Sequence, residues 1–325
     1  MTMIRRIITL AVAFALLLVP FACAEGAAIN VGALKGPTAM GMVQLMAEKA
    51  DDYAFTLAAA PDEIVPKIVK GELDIAAVPG NLAAVLYNNT QGAVKVLNIN
   101  TLGVLYILER GDSIQTVADL KGRTLYASGK GSTPEYALNY ILRGNGLDPE
   151  TDLTIEYKSE HAECLAALLQ DEQAAALLPQ PFATVAQVKA KQQQVDLRLA
   201  LDLTAEWDAL QADSEAPSTL VMGVAVARAD FIEQNPEAVK QFMADYAQSV
   251  AFTNENTAEA AALIGQFDIF EAGPAEKALP WCSITYIDGA EMAGLLSGFL
   301  AELYAQDPAA VGGALPDDGL YYIAE

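Results

Sequence analysis

Histidine, cysteine and positive charge are all scarce in this sequence of 325 residues. It contains one histidine, three cysteines, and 19 lysines and arginines against 42 aspartates and glutamates. The formal net charge of −23 at pH 7 argues against nucleic acid and anionic membrane surfaces as partners, because both would be repelled. One histidine with scattered carboxylates is also a poor basis for a metal site. We expect no nucleic-acid partner, no metal and no cofactor.

Two motifs with known chemistry are matched only in part by the sequence. A Walker A loop requires G-x-x-x-x-G-K-[ST], but Thr124 replaces its first glycine and Gly131 replaces its hydroxyl residue. His161 begins an H-x-E tripeptide like that of zinc deaminases, yet only Cys282 follows a later proline, without the second cysteine. His161 and Cys164 would be neighbours on any helix, since they lie three residues apart. The sequence therefore predicts no catalytic residue.

Only the N-terminus carries a long apolar run. Two arginines precede residues 7–22, a run that is short for a membrane span and typical of a secretory signal. Residues 22–24 fit the small-x-small cleavage pattern and predict a signal peptide over residues 1–24. An alternative is lipid attachment at Cys23, which directly follows the apolar run. We expect an exported protein, either free or tethered outside the cytoplasmic membrane.

From residue 28 onward, short apolar segments alternate with amphipathic ones, as in an α/β fold whose parallel sheet is covered on both faces. Residues 95–110 are too long for one strand and predict two strands, with a crossing between lobes near residues 109–111. A second β-rich crossing is predicted over residues 217–226. The fold predicted is two doubly wound α/β lobes joined by two crossing strands. The lobes comprise residues 25–112 plus 218–325, and residues 113–217.

A strand, a glycine-bearing turn and a helix start follow one another at residues 125–136. Ser132 or Thr133 stands at the N-cap position, and Pro134 takes the first helical position. Such a start presents unpaired N–H groups and the positive end of the helix dipole, and glycines let a ligand approach the backbone. A second start of this kind follows the third predicted strand, where Asn81 can cap the next helix. Small polar or anionic groups bind readily at such places.

The loops after the strands are expected to form one binding cleft. Ligands of open α/β sheets lie outside the carboxyl ends of the strands, and two facing lobes put those ends on opposite sides of a cleft. Loops at residues 35–39 and 79–81 would line one wall, and loops at 128–133, 159–161 and 179–180 the other. The predicted ligand-binding residues are Lys35, Gly36, Pro37, Thr38, Gly80, Asn81, Tyr106, Ser128, Gly131, Ser132, Thr133, His161, Gln180 and Trp281.

Each of these candidates also has a purely structural interpretation. The hydroxyl and amide groups at helix starts could serve as caps alone, and the lysines could point to water rather than neutralise an anion. Tyr106 and Trp281 could stack on a flat ligand or pack in a core. Gln180 is held between two prolines directly after a strand, which favours a ligand contact. Cys164 and Cys282 fall in different predicted lobes, so we expect free thiols.

Taken together, several segments resemble the substrate-binding proteins of ABC transporters, specifically the type II group that binds nitrate, sulfonates, taurine and thiamine-pyrimidine precursors. The segments that carry the resemblance are Gly36-Pro37-Thr38, Asp74-Ile75-Ala76, Pro79-Gly80-Asn81, Val117-Ala118-Asp119-Leu120-Lys121-Gly122 and the loop at residues 129–134. The resemblance implies a two-lobed, monomeric protein that captures a small solute by hinge closure and delivers it to a membrane permease.

Two other functions share this fold and stay open at this point. One is an enzyme of the thiamine-pyrimidine-synthesis kind, although the cysteine- and histidine-rich site of such enzymes is missing here. The other is a ligand-sensing module, which would need a signalling segment that the sequence does not show after residue 321. The solute is equally open, because neither wall carries an arginine clamp. A sulfonate, nitrate or a neutral pyrimidine-like compound all remain compatible.

Overall fold

The computed structural model describes residues 28–214 and 217–324, which form two separate β-sheets with helices around them. The predicted signal peptide, with its cleavage site and Cys23, lies outside the described residues. Within the described residues, no helix is both long enough and apolar enough to cross a membrane. The predicted α/β fold with two lobes is confirmed by the presence of one mixed sheet in each half.

The strands are short, as expected for sheets covered by helices on both faces. In chain order they are β1 (Ile29–Leu34), β2 (Tyr53–Ala58), β3 (Ile75–Pro79), β4 (Val94–Leu102), β5 (Leu105–Arg110), β6 (Thr124–Ala127), β7 (Thr154–Tyr157), β8 (Ala175–Pro179), β9 (Leu197–Asp202), β10 (Val221–Arg228) and β11 (Ile284–Ile287). The first sheet has the order β11-β4-β10-β3-β1-β2, and the second has the order β7-β6-β8-β5-β9. Each sheet is mixed, because β10 and β5 run antiparallel to their neighbours.

Three of the described helices start at a proline, and Ser132 and Asp202 stand at the N-cap positions of two others. The helices are α1 (Pro37–Met40), α2 (Val43–Glu48), α3 (Pro61–Val69), α4 (Gly80–Asn89), α5 (Thr133–Gly144), α6 (His161–Gln170), α7 (Phe182–Gln192), α8 (Leu203–Gln211), α9 (Ala229–Gln234), α10 (Pro236–Glu255), α11 (Thr257–Gln266), α12 (Ala272–Ala278) and α13 (Gly289–Gln306). A further short 3₁₀ turn, Pro308–Val311, follows α13.

One hydrophobic cluster contains buried residues of both lobes and so joins them. Its largest side chain is that of Trp207 in α8, which is fully buried. The Trp207 ring lies 4.1 Å from the ring of Tyr140 in α5 and 5.8 Å from that of Phe299 in α13. Its Nε1–H donates a hydrogen bond to Ser218 Oγ at 3.1 Å. Trp207 therefore ties the second lobe to the last long helix of the first.

The crossing between the lobes lies earlier than the sequence indicated. The predicted crossing at residues 109–111 is wrong: β4 ends at Leu102, and β5 starts at Leu105. β5 pairs with β8 and β9 in the second sheet, although the predicted boundary placed residues up to 112 in the first lobe. Gly103 makes the break possible, because a Cβ at this position would overlap Thr204 Oγ1. Nothing in the apolar run itself marks this point.

A buried carboxylate holds the segment that follows β5. Glu109 is 1% exposed and accepts hydrogen bonds from the N–H groups of Ser113 and Ile114, each at 3.1 Å. It also accepts from the guanidinium of Arg198 in β9. Burial alone would raise the pKa of Glu109, but the Ile114 N–H, Arg198 and Ser113 outweigh it and hold the pKa below the ordinary 4.5.

We expect Glu109→Gln to lower the free energy of unfolding by about 2 kcal/mol at neutral pH, since Arg198 loses a charged partner. The folded pKa lies below the unfolded one, so this stabilisation is present above the ordinary pKa of 4.5 and is lost as the pH falls through the folded pKa. Urea unfolding at neutral pH and in acid measures the difference. Glu172→Gln, in an exposed pair with Arg110, is the control with a small effect. A pH-independent loss would contradict this account.

Candidate functional site

The carboxyl ends of the strands in the two sheets face each other. β4 runs in the same direction as β1 and β3, because β10 is antiparallel to both β3 and β4. β9 likewise runs with β6 and β8. Thr133 Oγ1 lies 3.4 Å from Asn81 Oδ1, and Tyr106 donates its hydroxyl hydrogen to the Trp281 carbonyl at 3.1 Å. These two contacts connect the facing edges, and the candidate site lies between them.

On the first edge, the loop after β1 turns sharply into α1. Gly36 has a φ of 118°, a value that glycine alone adopts easily, and Pro37 occupies the first helical position. Thr38 donates its hydroxyl hydrogen to the Leu34 carbonyl at 2.8 Å, which leaves its oxygen lone pairs free. Lys35 reaches away from the loop and pairs with Asp268 at 2.6 Å. The loop thus offers Thr38 at the edge, while the Lys35 charge is already matched.

The helix start after β3 differs from the prediction in its cap. α4 begins at Gly80, so Asn81 lies inside the first turn and makes no capping hydrogen bond. The prediction that Asn81 caps this helix is therefore wrong. Its Nδ2 instead donates to the Ala310 carbonyl at 3.1 Å, which turns its Oδ1 toward Thr133 of the second lobe. Gly80 is buried against Val221, which leaves no room for a larger side chain.

On the second edge, the turn after β6 is closed by its own side chains. Ser132 stands at the N-cap position, as predicted, but its hydroxyl donates to the Gly129 carbonyl at 2.5 Å. The Gly131 N–H donates to the carboxylate of Glu135 at 2.5 Å. Lys130 lies over the ring of Tyr157, with its Nζ 5.6 Å from the ring centroid. Gly131 and Lys130 are thus engaged within the second lobe, and Thr133 is the buried hydroxyl that reaches the facing edge.

Ser128 and His161 form a polar pair at the same edge. A hydrogen bond of 2.6 Å joins Ser128 Oγ to His161 Nδ1. Burial lowers the pKa of His161 and outweighs the opposing effect of Glu160, so the ring is neutral at pH 7. The ring also packs against Phe182, with 5.5 Å between ring centroids. The pair therefore presents neutral hydrogen-bonding groups rather than a cation.

Gln180 places a buried amide directly after β8. Its Oε1 accepts hydrogen bonds from the Thr184 N–H at 3.2 Å and from the Thr184 hydroxyl at 2.9 Å. The Gln180 backbone N–H donates to the Val104 carbonyl at the lobe crossing, at 2.8 Å. Gln180 is 2% exposed, and its Nε2 has no hydrogen-bond partner within the described part of the chain. This is a buried donor with unused capacity at the cleft edge.

Two aromatic side chains meet where the lobes cross. Tyr106 and Trp281 pack edge to face, with 6.4 Å between ring centroids. Tyr106 is buried, and burial, with a smaller effect of Asp202, raises the pKa of its hydroxyl. Trp281 is 49% exposed, which is unusual for a tryptophan and leaves about half of its surface open to solvent.

The structure adds residues to the edge that the sequence did not single out. Asp202 ends β9, pairs in register with Tyr106, and caps α8 by accepting the Thr204 N–H at 2.9 Å. Gly223 of β10 lies so close to α1 that an added Cβ would stand 2.6 Å from Thr38 Cγ2. The Asp-Leu-Thr segment at residues 202–204 carries a capping signal that could have located Asp202. Gly223 carried no comparable signal.

No group of three or more histidine, cysteine, aspartate or glutamate side chains within residues 28–214 and 217–324 could hold a metal ion. Cys164 and Cys282 are buried and free, which confirms the predicted free thiols. Burial raises the pKa of the Cys164 thiol to about 11 and that of Cys282 to about 12. Both thiols are therefore unreactive at neutral pH.

Comparison with known proteins places the chain among transport proteins. A family model described as ABC transporter, phosphonate, periplasmic substrate-binding protein matches residues 43–278. No curated protein sequence matches the chain. An ABC transporter from Parabacteroides distasonis has a similar structure, with a TM-score of 0.76 and 24% identity over 92% of this chain and 100% of that one.

Two further solved structures share the fold at lower sequence identity. The periplasmic aliphatic sulphonate binding protein SsuA from Escherichia coli matches with a TM-score of 0.66 and 21% identity, over 89% of this chain and 94% of that one. The periplasmic nitrate-binding protein NrtA from Synechocystis PCC 6803 matches with a TM-score of 0.51 and 15% identity, over 74% of this chain and 66% of that one. At these identities the matches establish the fold.

Proposed function

Because the chain belongs to the family of ABC-transporter periplasmic substrate-binding proteins described for phosphonate, we propose that it captures one small polar or anionic solute between its lobes for import. Family membership confirms the resemblance seen in the sequence, and the fold is that of type II periplasmic binding proteins. The family is one of binding proteins rather than enzymes. The solute classes in view are sulfonates, nitrate and pyrimidine-like thiamine precursors.

One observation carries this proposal: the carboxyl edges of two independent sheets meet across a polar interface. Asn81 and Thr133 approach at one place, while Tyr106 and Trp281 touch at another. A solute held between these contacts touches both lobes at once. Since a ligand shifts an open–closed equilibrium only by its differential affinity for the two states, contacts to both walls are what drives closure.

Delivery of the solute requires a membrane partner. We propose that this partner is the permease of an ABC importer, which binds the protein when its two lobes are closed. Substrate-binding proteins of this family act outside the cytoplasm together with such a permease. We further propose that residues 1–24 direct export, and that the mature protein is a monomer that is either free or anchored through Cys23. An intact mass of the mature chain distinguishes these two forms.

Solute binding is tested by thermal denaturation of protein that has been unfolded and refolded to remove any bound compound. We expect a small-molecule extract of the source cells to raise the melting temperature by about 5 °C when the solute is near 100 times its Kd. Titration calorimetry then gives one site per chain. An unchanged melting temperature with extract, and with sulfonates, nitrate and pyrimidines added singly, would remove the support for a role in uptake.

A further inference from the structure

We propose that the cleft selects an uncharged solute that accepts hydrogen bonds, and discriminates against phosphonate, sulfonate and nitrate anions. This inference rests on the proposed solute-binding function and narrows its substrate class. It departs from the phosphonate description of the family model, because no arginine of the described chain reaches the two strand edges and the two lysines there already contact other groups. Three features of the described residues support this inference. The lysines and arginines already have partners or lie away from the cleft, carboxylates stand at the end of β9, and a buried amide offers a hydrogen-bond donor.

The two lysines in the cleft loops are already occupied by partners in their own lobes. Lys35 pairs with Asp268 at 2.6 Å, and Lys130 lies over the ring of Tyr157. His161, the remaining basic side chain in these loops, is neutral for the reason given above. An anion entering the cleft would have to give up its hydration and compete with Asp268 and the Tyr157 ring for the two lysine ammonium groups, which weakens its binding.

The arginines of the described chain do not reach the cleft edges either. Four of them make hydrogen bonds or ion pairs elsewhere in their lobes, and the fifth lies in the last turn of α5, at the end of the helix remote from the cleft. The four with partners are Arg110 with Glu172, Arg123 with Ser113, Arg198 with Glu109, and Arg228 with Asp74. Bidentate recognition of a phosphonate or sulfonate, the usual task of arginine, has no group to perform it here.

The charged side chains beside the end of β9 are carboxylates. Asp202 ends β9 beside Tyr106, and Glu206 and Asp208 follow on the first turns of α8. Burial raises the pKa of both Glu206 and Asp208, and the charge of Asp202 adds to this, although a hydrogen bond with Thr219 opposes it at Asp208. The three carboxyl groups thus already repel one another, and an added anion nearby would increase this repulsion.

The buried side-chain amide of Gln180 supplies a hydrogen-bond donor that can recognise a neutral solute. A backbone N–H can donate only to the amide oxygen, so the Thr184 N–H fixes which atom of the amide is Oε1 and which is Nε2. With Oε1 held by the start of α7, Nε2 lies on the opposite side of the amide group. It is buried there, at the strand edge, without a partner. A carbonyl, ring nitrogen or amide oxygen of a neutral solute would satisfy it.

The open ring of Trp281 fits the same class of solute. Its face carries the negative side of an aromatic quadrupole, which attracts flat neutral rings and repels anions. Because half of the Trp281 surface stays exposed beside Tyr106 at the crossing, a planar solute can pack against this tryptophan. We therefore expect a flat polar compound, such as a heterocycle or an amide, to bind best.

The test uses refolded full-length mature protein and a cell extract separated by ion exchange into anionic, cationic and neutral fractions. Thermal shifts are measured with each fraction, and with methylphosphonate, methanesulfonate and nitrate singly. We expect the neutral fraction to raise the melting temperature, and each of the three anions to bind at least about tenfold more weakly than the purified neutral solute. A shift caused by the anionic or cationic fraction, or by any of the three anions alone, overturns this inference while leaving the solute-binding role intact.

Gln180→Glu tests the amide directly, because it keeps an oxygen for the Thr184 N–H and replaces only the Nε2 donor. We expect it to weaken binding of the neutral solute by more than about tenfold, while the matched change Gln192→Glu at the exposed end of α7 has no effect. An equal affinity in wild type and Gln180→Glu, with both proteins folded, overturns the inference. If no fraction binds at all, the proposed function itself fails.

Discussion

Replacing Trp207 with alanine is expected to lower the free energy of unfolding by about 4 kcal/mol, the largest loss from any single truncation proposed for this protein. Trp207 is fully buried and packs between Tyr140 and Phe299, so its removal opens a cavity between α8, α5 and α13. Its hydrogen bond to Ser218 is lost as well. Urea denaturation followed by circular dichroism measures the change.

The second tryptophan provides the matched control. Trp281 is 49% exposed, and its truncation to alanine removes little buried area. We expect Trp281→Ala to cost less than about 1 kcal/mol of unfolding free energy, because the ring is already in contact with water. Similar losses for the two variants would show that Trp207 does not join the lobes.

Cross-linking the two lobes at the cleft edge is expected to change ligand exchange by more than two orders of magnitude. Asn81 and Thr133 approach across the interface at 3.4 Å, so cysteines at both positions can be joined by a short bis-maleimide, which reacts with one thiol at each end. Cross-linking in the presence of solute should trap it and slow its release by more than about 100-fold, since hinge opening precedes escape. Cross-linking the empty protein should abolish binding.

Background reaction in this experiment is expected to be low. Cys164 and Cys282 are buried, and burial raises the pKa of their thiols to about 11 and about 12. The single variants Asn81→Cys and Thr133→Cys, treated with the same reagent, control for blockage of the cleft by the reagent itself. Normal exchange of the solute in the cross-linked double variant would mean that it binds outside the interface between the lobes.

Local signals in the sequence were sufficient for much of the fold. The strand β6, the glycine turn and the proline at the start of α5 follow one another within a dozen residues, and the structure has them in place. The alternation of short apolar strands with helices gave the α/β class for the same reason. Such features depend on neighbours in the chain, so pattern and capping residues are enough to predict them.

The strand boundaries at the crossing could not be obtained in this way. Residues 94–110 form one long β-rich run in the sequence, and the switch from one sheet to the other at Gly103 depends on the close approach of Thr204 and Leu220. These partners lie about a hundred residues further along the chain. The short strand β11 likewise forms because β4 offers it an edge.

The roles of the side chains at the candidate site depend even more on residues that are distant in the sequence. The sequence alone allows Lys35 to neutralise an anion, but the fold brings Asp268 to it across a separation of 233 residues. Asn81 was expected to act as a cap, but Ala310 and Thr133 take its amide instead. Gln180 was singled out from its two prolines, yet only the fold shows that one end of its amide is fixed and the other is unpaired. The ligand contacts of all fourteen candidates stay predictions.

The central claim is that the two lobes close on one solute. The distance between the lobes, measured with and without solute, tests this claim most directly. Ala59 and Ala162 are exposed residues near the facing edges, one in each lobe, and suit cysteine substitution and spin labelling. Double electron–electron resonance on the refolded protein should give a broad, longer distance without solute and a single, shorter one when the solute-containing extract is added. The same distance distribution with and without a solute that demonstrably binds would contradict closure.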